Sequence, residues 1–306
     1  MQSKLAIAIP TYNRAVILSQ GIDFILDEVI ENNLIIYIVD DSQNNETFNV
    51  INDKYGQLPN IKYFKNKENL GHDRNFFKTI SIVKEDYVWY IGDSMLIKKG
   101  VLSNVLNIIK SRELDFIILN EESRNISMPD QLFVDYKLVI EKIGWHLTMS
   151  GAAIYNIKTI KNFVDNDVSL YKNFPQMALI IDYMINHNFK LLWINNKSLF
   201  GNKNKISYWS NNIFEVFLND LESTLKTTNL PDKYIVKLIR DHSINSQIFN
   251  INKLIKYRSK GIYNIQKLVI FHKKIRLYTN TSITLAFLVA AINKRIIKSL
   301  VNIFKY

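Results

Sequence analysis

The chain predicts an α/β fold, with a mostly parallel central sheet flanked by helices and a helical, basic extension at the C-terminal end. Three observations carry this. Apolar strand-like runs alternate with helical segments from Lys4 to about Gly100, several of these runs stop at a polar or acidic cluster, and the charge changes character after Pro231. The runs are continuously apolar, as strands buried on both faces of a parallel sheet must be. Right-handed crossovers then place the C-terminal tips of the strands on one edge, where ligands of such sheets bind.

Lys4 to Ile9 reads as the first strand and ends at Pro10-Thr11-Tyr12-Asn13-Arg14; the helical spacing of Ala15 to Asn32 follows. Leu34 to Val39 is the second strand and runs straight into Asp40-Asp41-Ser42. A helix at Thr47 to Tyr55, a turn at Gly56 to Pro59 and a strand at Ile61 to Phe64 lead to the polar loop Lys65 to Gly71. His72 to Val83 is the next helix, and Tyr87 to Ile91 the strand that delivers Gly92, Asp93 and Ser94 to the edge. Beyond it come a helix at Val101 to Lys110, a strand at Phe116 to Leu119, helical spacing at Leu138 to Ile143 and a small-residue strand at Ser150 to Tyr155. A helix at 174–187, a strand at Leu191 to Ile194, a loop at Asn202 to Lys205 and an amphipathic helix at Ile213 to Leu225 close this part. We expect one α/β domain over residues 1–230 and a helical basic region over 231–306.

With 306 residues, 47% of them hydrophobic, the chain can bury a large core. It has no cysteine, which excludes disulfides and thiolate metal sites. The first residues lack the basic and long apolar segments of a secretory signal, so a cytoplasmic protein is expected. The net charge of +11 is unevenly placed: residues 242–306 hold 12 of the 39 Lys and Arg and none of the 28 Asp and Glu, which leaves the first 241 near neutral. Such a tail suits an anionic partner. Thr284 to Ile292 is too short to span a bilayer, which takes about 20 apolar residues. Asn293 to Tyr306 is amphipathic, with Ile296, Ile297, Leu300, Val301 and Phe304 opposed to Lys294, Arg295, Lys298 and Lys305. Residues 284–306 therefore suit the inner face of an anionic membrane, the alternative being docking on the chain's own domain or on a second subunit as a homo-oligomer. Nucleic acid is not expected as a partner, because no basic-aromatic module occurs.

Four pieces in this order resemble the family 2 glycosyltransferases, nucleotide-sugar-dependent enzymes of the GT-A fold: Ile9-Pro10-Thr11-Tyr12-Asn13-Arg14, Val39-Asp40-Asp41-Ser42, Asn69-Leu70-Gly71-His72-Asp73-Arg74-Asn75 and Trp89-Tyr90-Ile91-Gly92-Asp93. The resemblance implies a Rossmann-like sheet and a nucleotide-sugar pocket made by Pro10 to Arg14, Asp40, Asp41, Asn69, Gly71, Arg74, Asn75, Gly92 and Ser94. Tyr12 would stack on the base, and Asp41 or Asp40 would accept the imide N–H of a uracil, favouring a UDP-sugar donor. Capping of a following helix is the ordinary alternative for such acids, and a surface position is the alternative for Arg74. Gly151 and Ala152, with little side chain, leave room for the sugar.

The same resemblance makes Asp93 a catalytic residue and the ligand of Mg²⁺ or Mn²⁺ on the donor diphosphate. The family usually shows two or three acids there, whereas here the neighbouring places hold Ser94 and Met95, and Met is no ligand for a hard cation. The acid pair that commonly serves as general base is also missing, at Phe174-Pro175-Gln176-Met177; Asp182 is the nearest carboxylate and the candidate base, with an ordinary helix-surface acid as its alternative. Trp209, after Ser207 and Tyr208, either stacks on an acceptor sugar or belongs to the core. His72, His146 and His187 are isolated in sequence and are assigned no metal. The expected activity is inverting transfer of a sugar from a nucleotide donor to a saccharide or glycoconjugate acceptor in bacterial surface glycan synthesis; the alternative is a non-catalytic GT-A-like subunit that binds glycan or a partner glycosyltransferase.

Overall fold

The computed structural model describes residues 4–124, 126–161, 163, 170–203 and 208–303, without the side chains of Tyr208 and of residues 300–303. Expectations placed on Met1, Asn204, Lys205, Ser207, Phe304 and Lys305, and on the side chains of Tyr208, Leu300 and Val301, lie outside the described residues.

The first half alternates as expected: β1 (Leu5–Thr11), α1 (Ala15–Glu31), β2 (Ile35–Asp40), α2 (Glu46–Tyr55), β3 (Ile61–Lys65), α3 (Gly71–Ser81) and β4 (Tyr87–Tyr90). A short β5 (Met95–Ile97), which the sequence reading missed, precedes α4 (Val101–Ser111). There follow β6 (Phe116–Glu121), β7 (Gln131–Phe133), α5 (Tyr136–Ile143), a 3₁₀ turn at Gly144–Thr148, β8 (Ala153–Asn156), α6 (Ile157–Ile160), α7 (Pro175–Asn186) and β9 (Leu191–Gly201). The helix expected from Ile213 is a π-helical stretch, Glu215–Asp220, that continues into α8 (Leu221–Lys226). The chain ends with α9 (Asp232–Asn245), α10 (Ile251–Lys260), α11 (Ile265–Tyr278), α12 (Ile283–Ala291) and α13 (Lys294–Ile303).

Among the described residues the strands form one sheet in the order β3-β2-β1-β4-β8-β6-β9-β5, with β7 also paired to β9. β3, β2, β1 and β4 run parallel, as do β6 and β9, whereas β8, β5 and β7 run against their neighbours. Alternation along β1 explains its unbroken apolar sequence. Leu5, Ile7 and Ile9 enter a cluster with residues of α1, α2 and α4, and Ala6 and Ala8 enter the opposite one with α3, α5 and α7. The two alanines make room on that side for Phe76, which meets Tyr90 edge to face at 4.6 Å.

That second cluster also takes in the C-terminal helices and so runs on past residue 230. Phe214 packs on Phe249, Tyr263 and Phe271, and the Tyr263 hydroxyl donates to the Ala286 carbonyl at 3.0 Å. Ile297 of α13 is buried in the same cluster, so the tail docks on its own fold with part of its surface.

Candidate active site

β1, β2 and β4 are parallel neighbours, and their tips meet. Thr11 lies level with Asp40, and Asp41 N donates to the Thr11 carbonyl at 2.9 Å. The turn after β1 is closed by the Asn13 N–H, which donates to Ser42 Oγ at 2.7 Å, with Asn13 in a left-handed conformation at φ 52°. Asparagine tolerates that region better than most residues.

The adjacent acids then separate. Asp40 is fully buried and spent on structure: one oxygen accepts from Ser42 N and the other from the Tyr63 hydroxyl, at 2.9 and 2.7 Å. Asp41 turns to the crevice and anchors the loop before α3, which the resemblance also assigns to the nucleotide-sugar pocket. Its Oδ1 accepts from Asn66 Nδ2 and Leu70 N, both at 2.8 Å, and its Oδ2 from Gly71 N at 2.9 Å. These bonds satisfy N–H groups at the start of α3, so Asp41 caps a helix, though not the one that follows it in sequence. Gly71 sits at φ +76°, where a side chain is strained, and Asn69 Oδ1 holds the same N–H at 2.9 Å. Asn66 Nδ2 also donates to Asn75 Oδ1, fixing the first turn of α3.

At the β4 tip, Asp93 is buried and engaged on both oxygens. Thr11 Oγ1 donates to Oδ2 at 3.0 Å, and Arg14 NH1 to Oδ1 at 3.1 Å. Met95, which occupies the place of a third acid, is a wall residue: it is buried, and a Cβ added at Gly151 would come within 3.4 Å of its side chain.

The resulting crevice has a volume of about 430 Å³. Pro10, Thr11, Tyr12, Arg14 and Asp41 line it from the β1 and β2 tips, Asn69, Gly71 and Asn75 from the α3 side, and Gly92, Asp93 and Ser94 from the β4 tip. The remaining expected residues do not line it. Asn13 and Asp40 support the turn behind it, and Arg74 is exposed on α3. Gly151 and Ala152 are buried behind the wall, where the Gly151 carbonyl accepts from the Trp89 indole at 2.9 Å; Ser150, one residue earlier, faces the crevice instead. Asp182 is seven residues into α7, about 10 Å beyond its start. It is half-buried, burial raises its pKa, and its Oδ1 accepts from Asn186 Nδ2 at 3.2 Å; the structure does not bring it to the crevice.

The crevice also takes in residues that were given no site or an open one: Tyr90, Met95, His72 and Trp209. His72 Nδ1 lies 2.7 Å from Asp73 Oδ1, and Asp73 accepts 3.1 Å bonds from Asn173 N, just before α7. The adjacent His-Asp pair was visible in sequence, but its link to residue 173 was not. Trp209 meets Phe217 edge to face at 5.2 Å, which sets its ring against the core while it lines the crevice.

A largely buried group of polar side chains surrounds the 3₁₀ turn at Gly144–Thr148. Arg124 donates to the Trp145 carbonyl at 2.9 Å and to Thr148 Oγ1 at 3.0 Å, lies over the Trp145 ring, and is pushed down to about 10 by burial. His146 is fully buried with Nε2 at 2.8 Å from the Leu119 carbonyl, and burial with the nearby Arg124 charge pushes it down to about 3. Gln176, where an acid was expected, donates to the Thr148 carbonyl at 3.3 Å.

Residues 6–133 match the model of the family described as Glycosyl transferase family 2. Over those residues, under half of its length, the chain is similar to the family 2 glycosyltransferases. No curated protein matches the chain. Its fold is similar to the crystal structure of S. aureus TarS 1-349 (14% identity, TM-score 0.57, covering 99% of this chain and 92% of that one) and to the same protein in complex with UDP-GlcNAc (15%, 0.56, 99% and 93%). It is also similar to the mannosyltransferase PcManGT from Pyrobaculum calidifontis in complex with GDP-Man and Mn²⁺ (10%, 0.59, 100% and 88%). The central sheet with flanking helices is thus a GT-A-like fold, and the reaction class of the family is glycosyl transfer from a nucleotide sugar.

GT-A enzymes often use a divalent cation, and the Pyrobaculum enzyme was solved with one. The donor set at Asp93 does not fit such an ion. Its oxygens face a guanidinium and a hydroxyl, its neighbours are Ser94 and Met95, and no group of three or more acidic or His side chains gathers anywhere among the described residues. A cation bound there would sit beside the permanent charge of Arg14.

Proposed function

We propose that this glycosyltransferase moves a sugar, with inversion, from a UDP-linked donor to a saccharide or glycoconjugate acceptor in bacterial surface glycan synthesis. The observation that carries the donor assignment is Asp41, a carboxylate held rigidly in the crevice wall whose Oδ2 accepts from Gly71 N and has a second lone pair for an imide N–H. Tyr12, half-exposed on the rim, offers a ring for the base. The acceptor setting follows the family resemblance.

In this reading the acceptor hydroxyl oxygen bonds to the anomeric carbon from the face opposite the nucleotide. The bond from that carbon to the β-phosphate oxygen breaks, and its electron pair leaves on UDP. We assign the acceptor's proton to His72. Asp73 orients the ring through Nδ1, which makes Nε2 the accepting nitrogen, and Asn173 N holds Asp73 in place. His72→Asn should lower kcat at least 100-fold while UDP affinity stays within about threefold. Calorimetric titration with UDP, GDP and uridine tests the donor: tighter binding of GDP than UDP removes the UDP assignment.

We further propose that residues 231–306 rest on an anionic membrane. No helix among the described residues is long and apolar enough to cross one. α11 and α12 pack together and expose Val269, Ile270, Phe287 and Leu288 beside Lys273 and Arg276, on a stretch free of acids. Because α12 and α13 also bury Ala286 and Ile297 in the core, point changes test this better than truncation. Val269→Ser with Ile270→Ser should abolish sedimentation with phosphatidylglycerol vesicles. Unchanged sedimentation overturns the claim, and loss of a dimer instead reassigns the face to a second copy of the chain.

A further inference from the structure

We propose that this chain holds the donor's diphosphate with Arg14, assisted by Lys203, in place of a divalent cation, so that nucleotide binding and transfer need no metal. The proposal rests on the nucleotide-sugar reading of the crevice and adds to it the means of neutralising the leaving group.

Arg14 and Asp93 come from the tips of adjacent parallel strands, and both line the crevice. Their ion pair at 3.1 Å, with Thr11 Oγ1 on the other carboxylate oxygen, fixes the guanidinium at the centre of the strand edge, and Arg14 remains partly accessible there at 27% exposure. The planar group carries five donors in a fork that matches phosphate oxygens in pairs, and its charge persists at every physiological pH. A side chain anchored in this way is preorganised, since Asp93 holds its orientation before the ligand arrives.

The second cation follows the end of β9. Met95 pairs with Gly201, and Asn202 N donates to the Ser94 carbonyl at 2.8 Å, so the chain leaves the sheet directly beside Asp93. The next residue is Lys203, exposed in a turn. The β4 tip, where the resemblance leads one to expect acids around a metal, thus has one acid already paired, a serine, a buried methionine and, two residues past the end of β9, Lys203. As the bond between the anomeric carbon and the β-phosphate oxygen breaks, the electron pair settles on that oxygen. Arg14 then donates N–H to it, while the acceptor's proton goes to His72. Asp93 acts through Arg14 and is a positioning residue.

The test is calorimetric titration of UDP into the full chain, in EDTA and in excess Mn²⁺, with uridine as the control that lacks phosphate. The two UDP dissociation constants should agree within about threefold. Arg14→Ala should weaken UDP at least 30-fold and leave uridine within about twofold, while Arg14→Lys, which keeps the charge but not the paired donors, should recover only part of the loss. Asp93→Asn separates an anchor from a metal ligand. Asn keeps an oxygen for Arg14 but loses the charge that anchors it, so UDP should weaken by no more than about tenfold and equally in EDTA and in Mn²⁺, whereas removing a metal ligand abolishes only the part of binding that Mn²⁺ supplies. Thermal melts of each variant separate these effects from unfolding. Tenfold or greater weakening by EDTA, restored by Mn²⁺, overturns the proposal and leaves the nucleotide reading standing. Silence of folded protein toward UDP and GDP in both buffers overturns the nucleotide reading, and the proposal with it.

Discussion

The two halves of the crevice are built by different means. The half made before residue 100 is a lattice of short polar contacts between loops: Asp41 gathers Asn66, Leu70 and Gly71, and Asp93 gathers Thr11 and Arg14. The wall that Ser150 and Trp209 give the crevice carries no acid among the described residues, and near it lie the buried His146 and Gln176 and the half-buried Arg124. In the first half, charge is exposed to a ligand and held still by hydrogen bonds. In the second, burial disfavours charge, so it is suited to contacts with a neutral sugar more than to catalysis by a carboxylate.

If this contrast is right, Asp41→Ala is the most damaging change in the molecule. It should abolish nucleotide binding in calorimetry and lower stability by about 3 kcal/mol in urea titration, because the backbone N–H groups of the α3 start lose their acceptor. A stability loss below about 1 kcal/mol would mean that the loop does not depend on this anchor.

The buried wall is tested by acid. His146 is depressed to about 3 when folded, and the unfolded chain binds its proton near 6.5, so the unfolded state holds more protons between those values. Stability is therefore full above about pH 6.5 and falls as pH drops toward 3, by about 1.4 kcal/mol per pH unit for this group. His242, also fully buried and shifted the same way, adds to the slope. His146→Gln, which can keep a donor for the Leu119 carbonyl, should reduce the slope of stability against pH by about that amount, whatever it does to absolute stability.

Gly71→Ala should cost about 1 kcal/mol and weaken nucleotide binding modestly. Nothing lies within 4 Å of the added Cβ, so the penalty is that of the backbone at φ +76° alone. Asp182→Asn should have the smallest effect, leaving kcat and KM within about twofold. A large loss of kcat there would return a carboxylate to the acceptor half and break the contrast between the two halves.

The apolar runs, their intervals and the polar clusters that end them foretold the parallel strands from β1 to β4 and the crevice at their tips, because burial on both faces leaves a one-dimensional signature. β5 and β7 escaped notice since three-residue strands at a sheet edge carry almost no periodicity. The mixed direction of β8 and β9 was equally hidden, as strand direction depends on connections rather than composition.

The residues themselves sufficed to say that acids would stand at the tips of β2 and β4 and that the expected company of Asp93 was absent. They could not say what each carboxylate would meet. Asp40 and Asp41 are neighbours in the chain, yet one is consumed by Tyr63 and the other caps a helix 30 residues away. Asp93 is tied to an arginine 79 positions earlier, and Asp182 lies too far along α7 to reach the crevice. Hydrogen bonds and ion pairs act over about 3 Å, so the role of a charged group depends on which distant segments the fold brings within that reach.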